Sequence, residues 1–177
     1  MMWNRKRICL LAGVLGCAAL LMFSGCSDDH GASAIAKVNS SNIQRLTNLY
    51  SAFQMNRYGP GPKDEPEFKR FIKEEMGPYH LGLMGIDPNG IDAIFISERD
   101  HKPFKVRYGV NGGPGIVNAV VFEDEGVGGK KQVGINGGTV MEVDDAQWQD
   151  MWSGKWHPAA TGTPMINMQQ GAASKAK

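Results

Sequence analysis

The acidic run Glu123–Glu125 is the most direct candidate for chemistry in this sequence, because consecutive carboxylates could bind a hard cation. Calcium takes about six to eight oxygen ligands, which carboxylates and carbonyls converging from a turn can supply. Asp87, Asn89 and Asp92 form a second acidic cluster. Neither cluster has the ligand spacing of an EF-hand, and carboxylates in a turn are often simply solvated. The sequence therefore offers a small-ligand or cation-binding module, with calcium as the candidate cation, as an alternative function.

Two glycine-rich segments could serve catalysis or phosphate binding, but each lacks residues that the chemistry needs. The run Gly112–Gly115 is similar to the oxyanion loop of some α/β-hydrolases, which requires a nucleophile on a Gly-x-Ser-x-Gly elbow, and the sequence contains no such elbow. The segment Gly126–Lys131 would need glycine at Asp124 and serine or threonine at Lys131 to form a phosphate loop. Both segments are therefore predicted to be turns between strands, and a hydrolase is the least favoured function.

Histidine and cysteine chemistry is also poorly supported. The histidines are His30, His80, His101 and His157, and no two have the i, i+4 spacing of a metal site. The cysteines are Cys9, Cys17 and Cys26. All three lie near the start of the chain, so the remainder has no thiol for a disulfide, a zinc–thiolate site or nucleophilic catalysis. We predict that the protein is not an enzyme and uses no cofactor.

Cys26 follows a segment with the order of an export signal. Arg5–Arg7 is basic, Ile8–Phe23 is an unbroken apolar run, and Ser24–Gly25 is a pair of small residues. With a cysteine directly after that pair, the segment resembles the lipobox of bacterial lipoproteins, with Phe23 where that family usually has leucine. The resemblance implies that the Cys26 thiol is lipidated and that Cys26 becomes the first residue of a mature protein anchored to a cell-envelope membrane.

A transmembrane helix is the alternative interpretation of residues 8–23. That run is shorter than the roughly 20 residues needed to cross the hydrocarbon core. The acidic residues Asp28 and Asp29 follow it instead of a basic stop-transfer cluster. This arrangement favours an exported and cleaved segment, although the sequence does not distinguish the inner from the outer membrane.

The charge balance gives no reason to expect nucleic acid as a partner. The full chain of 177 residues has a formal net charge of +1. Residues 1–25 carry three basic and no acidic residues, so the remainder has a net charge of −2. Nucleic-acid binding would require a basic face, which this composition does not favour.

Two helices are predicted after a polar segment. Ser41 and Gln44 have the spacing of a capping box, and apolar residues then recur at intervals of three and four, which predicts a helix over 41–57. The Gly-Pro repeat at 59–62 ends it.

The second helix opens with the same signal. Asp64 and Glu67 repeat the capping-box spacing, and Gly77–Pro78 is expected to end the helix. Residues 79–90 are predicted to be a loop with a turn over 87–90.

From Ile91 the hydrophobic period changes to two, which indicates strands. The predicted strands cover residues 91–97, 104–110, 116–122, 131–136 and 139–143. Asn136–Gly137 between two apolar runs predicts a hairpin. Asp144 and Gln147 form a third capping-box spacing, which predicts a short closing helix. The predicted fold is α+β, with two helices, a four- to five-stranded antiparallel meander and a short C-terminal helix.

A second resemblance concerns the turn Arg99–Phe104. It is similar to the Asp-Pro-Trp-Gly-x-Pro-Tyr turn of type II secretion pseudopilins, although the Trp-Gly pair is absent. The order of helix, Gly-Pro loop, helix and small sheet over residues 43–122 is also similar to the globular domain of that family. The resemblance implies a fold and a role in interaction or assembly. The chain lacks the family's prepilin leader and its calcium loop, so neither a secretion role nor a calcium site is carried over.

The predicted organisation is a signal peptide over 1–25, a tether over 26–40, an α+β domain over 41–153 and a disordered tail over 154–177. The remaining concentration of large apolar side chains is Trp148, Met151, Trp152 and Trp156. These side chains either pack in the core or form a partner surface, since exposed apolar patches and tryptophan are typical of interfaces. The Tyr58–Pro62 loop is the other candidate surface for an envelope protein partner.

Replacing Cys26 by serine should release the protein from the membrane fraction or stall its processing, because serine offers no thiol for lipidation. Membrane fractionation and the apparent mass of the product measure this. A Cys9→Ser variant is the matched control and should stay membrane-bound. A Cys26→Ser protein that is processed normally and remains in the membrane would contradict lipidation at this residue.

Overall fold

A computed structural model describes residues 34–156, so Cys26, the signal segment and residues 157–177 of the predicted tail lie outside the described residues. Residues 34–37 are helical. The elements that follow are α1 (Asn42–Arg57), α2 (Glu65–Glu74), α3 (Gly77–Leu83), the 3₁₀-helix η1 (Ile91–Phe95), β1 (Lys105–Val106), β2 (Ala119–Phe122), β3 (Lys131–Ile135), β4 (Thr139–Val143) and α4 (Asp145–Trp152). The fold class is α+β, as predicted.

The four strands form one antiparallel meander in the order β1-β2-β3-β4. Strands β3 and β4 pair over their whole length, from Lys131 opposite Val143 to Ile135 opposite Thr139. The predicted hairpin between them is confirmed, with residues 136–138 as the loop and a hydrogen bond of 3.1 Å from the Gly138 nitrogen to the Ile135 carbonyl. Strands β1 and β2 share only two residue pairs.

A bulge in β2 assigns its side chains to two different cores. Ala119 lies opposite Ile135 and Val121 opposite Gly134, so Val120 is an extra residue between them. Val120 and Val121 pack with the helices that precede the sheet, whereas Ala119 and Phe122 pack with α4. The sheet is therefore covered on both faces, by α1 on one side and by α4 on the other.

Helix α1 is the central element of the larger core. Its residues Ile43, Leu46, Leu49 and Tyr50 are buried. It lies close to the sheet at Gly134, where a side-chain carbon would collide with the hydroxyl of Thr47. Glycine at this position of β3 is therefore required by the approach of the helix to the sheet.

The Gly-Pro segment after α1 runs back along that helix. Helix α2 therefore packs beside α1, and the two helices run parallel. The rings of Tyr50 and Phe68 meet edge to face at 5.7 Å. Gly61 lies against the Tyr50 ring and donates its N–H to the Val110 carbonyl at 2.8 Å. Gly109 donates to the Pro62 carbonyl at 2.7 Å. Gly61 and Pro62 therefore form backbone hydrogen bonds with Gly109 and Val110, in the place where a neighbouring strand would otherwise pair.

The N-caps predicted from the sequence are present. Ser41, Asp64 and Asp144 each accept a hydrogen bond from the backbone nitrogen three residues later. Only Asp144 and Gln147 form a complete capping box. The Gln44 side chain donates instead to the Gly138 carbonyl at 2.6 Å, so the long-range contact replaces the local one.

The prediction of a strand over residues 91–97 was wrong. Residues 91–95 form η1, whose buried side chains Ile91, Ile94 and Phe95 have a helical spacing. The Asn42 side chain fixes this segment, because it donates to the carbonyls of Ala93 and Ile96.

The prediction of a loop over residues 79–90 was wrong for its first residues, which belong to helix α3. Gly77 adopts a φ of +70°, and Pro78 starts α3 in the first turn, where its missing N–H costs nothing. Leu81 anchors this helix in the core. The Gly-Pro pair that ends one helix therefore also begins the next.

The domain's contacts begin before residue 41. Ile35 packs against the core, and the buried Asn39 accepts a hydrogen bond of 2.9 Å from the Asn48 side chain. None of the helices in the described range 34–156 combines the length and the apolar character needed to cross a bilayer.

Replacing Gly134 by alanine should destabilise the domain, because the added methyl group collides with the Thr47 hydroxyl beneath α1. Overpacking of this kind costs about 1–3 kcal/mol of unfolding free energy. Chemical denaturation of the full chain measures this loss.

Gly82→Ala in α3 is the matched control, because nothing lies near the added methyl group and alanine favours helix. We expect no loss of stability there. The double variant Gly134→Ala/Thr47→Ala should lose less than the sum of the two single losses. A Gly134→Ala variant as stable as the wild type would contradict the close packing of α1 on β3.

Candidate binding groove

An open groove of about 760 Å³ lies between the two arms of the chain that connect β1 to β2. Residues 106–111 form one arm, Ile116 and Asn118 belong to the other, and Trp152 of α4 completes the lining. Among the described residues it combines several polar groups with an exposed aromatic side chain. It is therefore the best candidate for a binding site.

The arms separate because their backbone groups find partners elsewhere. The Arg107 nitrogen donates to Val120 at 2.8 Å, which continues the β1–β2 pairing by one bond. Beyond it the Arg107 carbonyl accepts from the Tyr50 hydroxyl at 2.8 Å, and the Val110 carbonyl accepts from Gly61 and Gln54. These bonds hold the first arm toward the helices, so it cannot pair further with β2.

The second arm is held by asparagines. Asn136 accepts from the Asn118 nitrogen at 2.7 Å and donates to the Ile116 carbonyl at 3.2 Å. The Asn118 side chain reaches across the groove and donates to the Asn111 carbonyl at 3.0 Å. The groove is thus fixed at its sides by hydrogen bonds to α1 and to the β3–β4 turn.

Arg107 supplies a positive charge to the groove. Its Nη1 donates to the carbonyls of Ala119 at 3.3 Å and Met151 at 3.2 Å, which ties the first arm to β2 and α4. Arg99 pairs with Glu123 and Glu142, whereas no carboxylate in the described part of the chain forms an ion pair with Arg107. The guanidinium is therefore available to pair with an anionic group of a ligand.

The rest of the lining offers apolar surface and uncharged polar groups. Trp152 is 37% exposed and Ile116 is 45% exposed. Burial raises the pKa of Tyr108 well above its usual range, with the carboxylates of Glu65 and Asp64 acting in the same direction, so its hydroxyl stays neutral. The lining contains no histidine, cysteine, serine or carboxylate. Its chemistry is that of binding by apolar contact, hydrogen bonding and one cation.

The candidate partner residues from the sequence have different positions. Trp148 is 4% exposed and packs edge to face on Phe122, so it offers no surface to a partner. Trp152 stacks on Trp148 at 5.6 Å and lines the groove. Trp156 is half-buried against the smaller core. Tyr58 is 97% exposed at the end of α1, outside the groove lining.

Sequence reasoning missed the polar half of the groove. Arg107, Asn111 and Asn118 occupy ordinary positions in predicted strands or turns. These three residues come together through contacts with α1 and α4, which are distant from them in the sequence. The one available signal was the Gly-rich turn 112–115, which marks where the arms reverse direction.

The acidic residues Glu123–Glu125 do not converge. Glu123 is 1% exposed and accepts hydrogen bonds from Ser97 Oγ at 2.9 Å and from the Gln132 nitrogen at 2.7 Å. Asp124 pairs with Lys105, and Glu125 pairs with Lys102. In the second acidic cluster, Asp92 pairs with Lys69 and Asp87 accepts from the Asn89 nitrogen. Within residues 34–156 no group of three or more carboxylates, histidines or cysteines is arranged to hold a metal ion.

The turn Arg99–Phe104 is fixed by Asp100. Its carboxylate accepts hydrogen bonds from the backbone nitrogens of Lys102 at 3.0 Å, Glu125 at 3.1 Å and Gly126 at 2.8 Å. Burial by itself raises the pKa of Asp100, but these hydrogen bonds outweigh it and hold the pKa below its ordinary value. Asp100 therefore joins this turn to the β2–β3 turn as a structural residue.

Comparison with protein-family models, with curated proteins and with solved structures gave no significant match to the chain. The resemblances to bacterial lipoproteins and to pseudopilins therefore remain predictions from the residues that carry them.

Replacing Asp100 by asparagine should destabilise the domain by about 1–2 kcal/mol at neutral pH, because an amide oxygen cannot replace both carboxylate oxygens as acceptors. The pKa of Asp100 is lower in the folded chain than in the unfolded chain. Its stabilising contribution is therefore complete at pH values above the pKa of an unfolded aspartate, and it is lost as the pH falls below about 4. The difference between wild type and variant should therefore narrow in acid. Thermal unfolding across pH measures this.

Asp150→Asn is the control, because that exposed side chain forms no ion pair or hydrogen bond within the described residues. It should lower stability by much less at every pH. An Asp100→Asn loss that stays constant from neutral to strongly acidic pH would show that the carboxylate charge is not the cause.

Proposed function

We propose that this chain is a lipid-anchored, non-catalytic interaction protein of the bacterial cell envelope, and that its domain binds an extended segment of a partner protein in the groove. The groove, with its exposed Trp152 and with an Arg107 that has no carboxylate partner within residues 34–156, is the observation that carries the proposal. The lipobox-like sequence at Cys26 supports the anchor.

The chemistry of the groove favours an acidic and apolar peptide segment. Arg107 complements a carboxylate, for which arginine has a suitable planar donor geometry. Trp152 and Ile116 offer apolar contact area, and tryptophan is enriched among residues that dominate binding energy. A segment carrying one carboxylate beside apolar side chains would satisfy both parts of the lining.

The backbone of the arms favours an extended conformation for that segment. In the described part of the chain, the N–H and C=O of Tyr108 and of Val117 make no hydrogen bond within the protein. An added strand can pair with such groups, and main-chain bonds of this kind contribute affinity in many peptide-binding domains.

Selection of peptides from a random library against the full-length chain in detergent tests the proposal. We expect sequences with aspartate or glutamate beside apolar residues. Trp152→Ala should weaken their binding about tenfold or more, because it removes the main apolar contact. Ile116→Glu should do the same by placing a negative charge in the groove.

Tyr79→Ala and Val127→Glu are the matched controls, since both residues are exposed and lie outside the groove lining. Neither should change affinity. Thermal melts of every variant separate lost binding from lost folding. Selected peptides that bind both groove variants as tightly as the wild type would place the binding site elsewhere and overturn the proposal.

A further inference from the structure

Three Asn-Gly pairs occur in the described residues, at 89–90, 111–112 and 136–137. Such pairs are chemically reactive because the backbone nitrogen after the asparagine can attack the side-chain Cγ, and glycine hinders that attack least. In a folded protein the reaction requires a free side-chain amide and a free backbone nitrogen. The hydrogen bonds around each pair therefore decide which of them can react.

Asn136 is held on both sides. Its side-chain nitrogen donates to Gln54 and to the Ile116 carbonyl, and its side-chain oxygen accepts from Asn118 at 2.7 Å. The Gly137 nitrogen donates to Ser51 Oγ at 2.8 Å. Neither reacting group is free, so the fold protects this pair.

Asn89 belongs to a tight turn. The Gly90 nitrogen donates to the Asp87 carbonyl at 3.0 Å, and the Asn89 nitrogen donates to Asp87 Oδ1 at 2.9 Å. The attacking nitrogen is thus engaged as a donor, and the turn fixes its direction.

Asn111 differs from both. It is exposed, and within residues 34–156 its side chain makes no hydrogen bond and the Gly112 nitrogen has no acceptor. The residues that follow include Gly113 and Gly115 at φ values of +149° and +78°. Gly112 has no Cβ to hinder the approach of its nitrogen to Cγ, and its Cα lies against the Gln54 side chain, where a larger residue would not fit.

We propose that Asn111 is a site of spontaneous deamidation in the folded protein. The Gly112 nitrogen loses its proton and bonds to Asn111 Cγ, the bond from Cγ to Nδ2 breaks, and ammonia leaves. One water molecule then opens the resulting succinimide at either carbonyl, which leaves aspartate or isoaspartate at position 111. Neither step involves oxidation or reduction.

The product changes the groove. Asn111 lines it, and its backbone carbonyl accepts the bond from Asn118 that bridges the two arms. Deamidation adds a carboxylate to a lining whose only charged side chain is Arg107, and the isoaspartate form also shifts the backbone at the bridge. An acidic segment should then bind more weakly. This consequence rests on the proposed function, whereas the reaction itself does not.

Incubation of the full-length chain at mildly alkaline pH, followed by peptide mapping with mass spectrometry, measures the reaction at each pair. We expect Asn111 to deamidate about tenfold or more faster than Asn89 and Asn136 in the folded chain. In denaturant the three rates should converge, because the hydrogen bonds that protect two of the pairs are lost. Asn111→Gln should abolish the product at this position while keeping an amide.

Equal rates at the three pairs in the folded chain, or a rate at Asn111 far below its rate in denaturant, would overturn the inference. Asn111→Asp tests the consequence separately and should weaken binding of the selected acidic peptides relative to Asn111→Gln. Fast deamidation with unchanged binding by Asn111→Asp would leave the modification site standing and count against the proposed role of the groove.

Discussion

The close approach of α1 to the sheet at Gly134 sets the arrangement of the rest of the domain. Because β3 has no side chain there, Thr47 reaches the sheet backbone and the apolar face of α1 covers the strands. Helix α2 then packs beside α1 through Phe68. A larger residue at position 134 would move α1 away from the sheet, and with it the tyrosine and glutamine side chains that bind the first arm of the groove.

The groove follows from where backbone hydrogen bonds are used. Strand pairing between β1 and β2 stops after Arg107, since the next carbonyls accept from Tyr50, Gly61 and Gln54. The bulge at Val120 bends β2 at the point where this pairing stops. An opening beside α4 is therefore the necessary result of satisfying these groups elsewhere, and the exposed face of Trp152 lies at its edge.

Local signals predicted the parts of the fold that depend on neighbours in the chain. Three helix starts and the β3–β4 hairpin were found because caps and turns act within a few residues. Residues 91–97 were assigned wrongly because a short apolar run fits a strand or a helical turn equally, and the choice was made by Asn42 from α1. Arg107 could not be recognised, because its role depends on carbonyls at positions 119 and 151.

Glu123 and Arg107 are both charged, but the described residues compensate the two charges differently. Burying a carboxylate is costly unless its oxygens are bonded. Glu123 accepts hydrogen bonds from the Ser97 hydroxyl and the Gln132 nitrogen, and it forms an ion pair with Arg99. Nothing remains for it to bind. Arg107 uses one nitrogen to hold the fold together and keeps its charge without a carboxylate partner among the described residues. A charge whose hydrogen bonds are satisfied internally stabilises structure, whereas a fixed charge without a counter-ion among the described residues, beside exposed apolar surface, is the feature on which the proposed binding role rests.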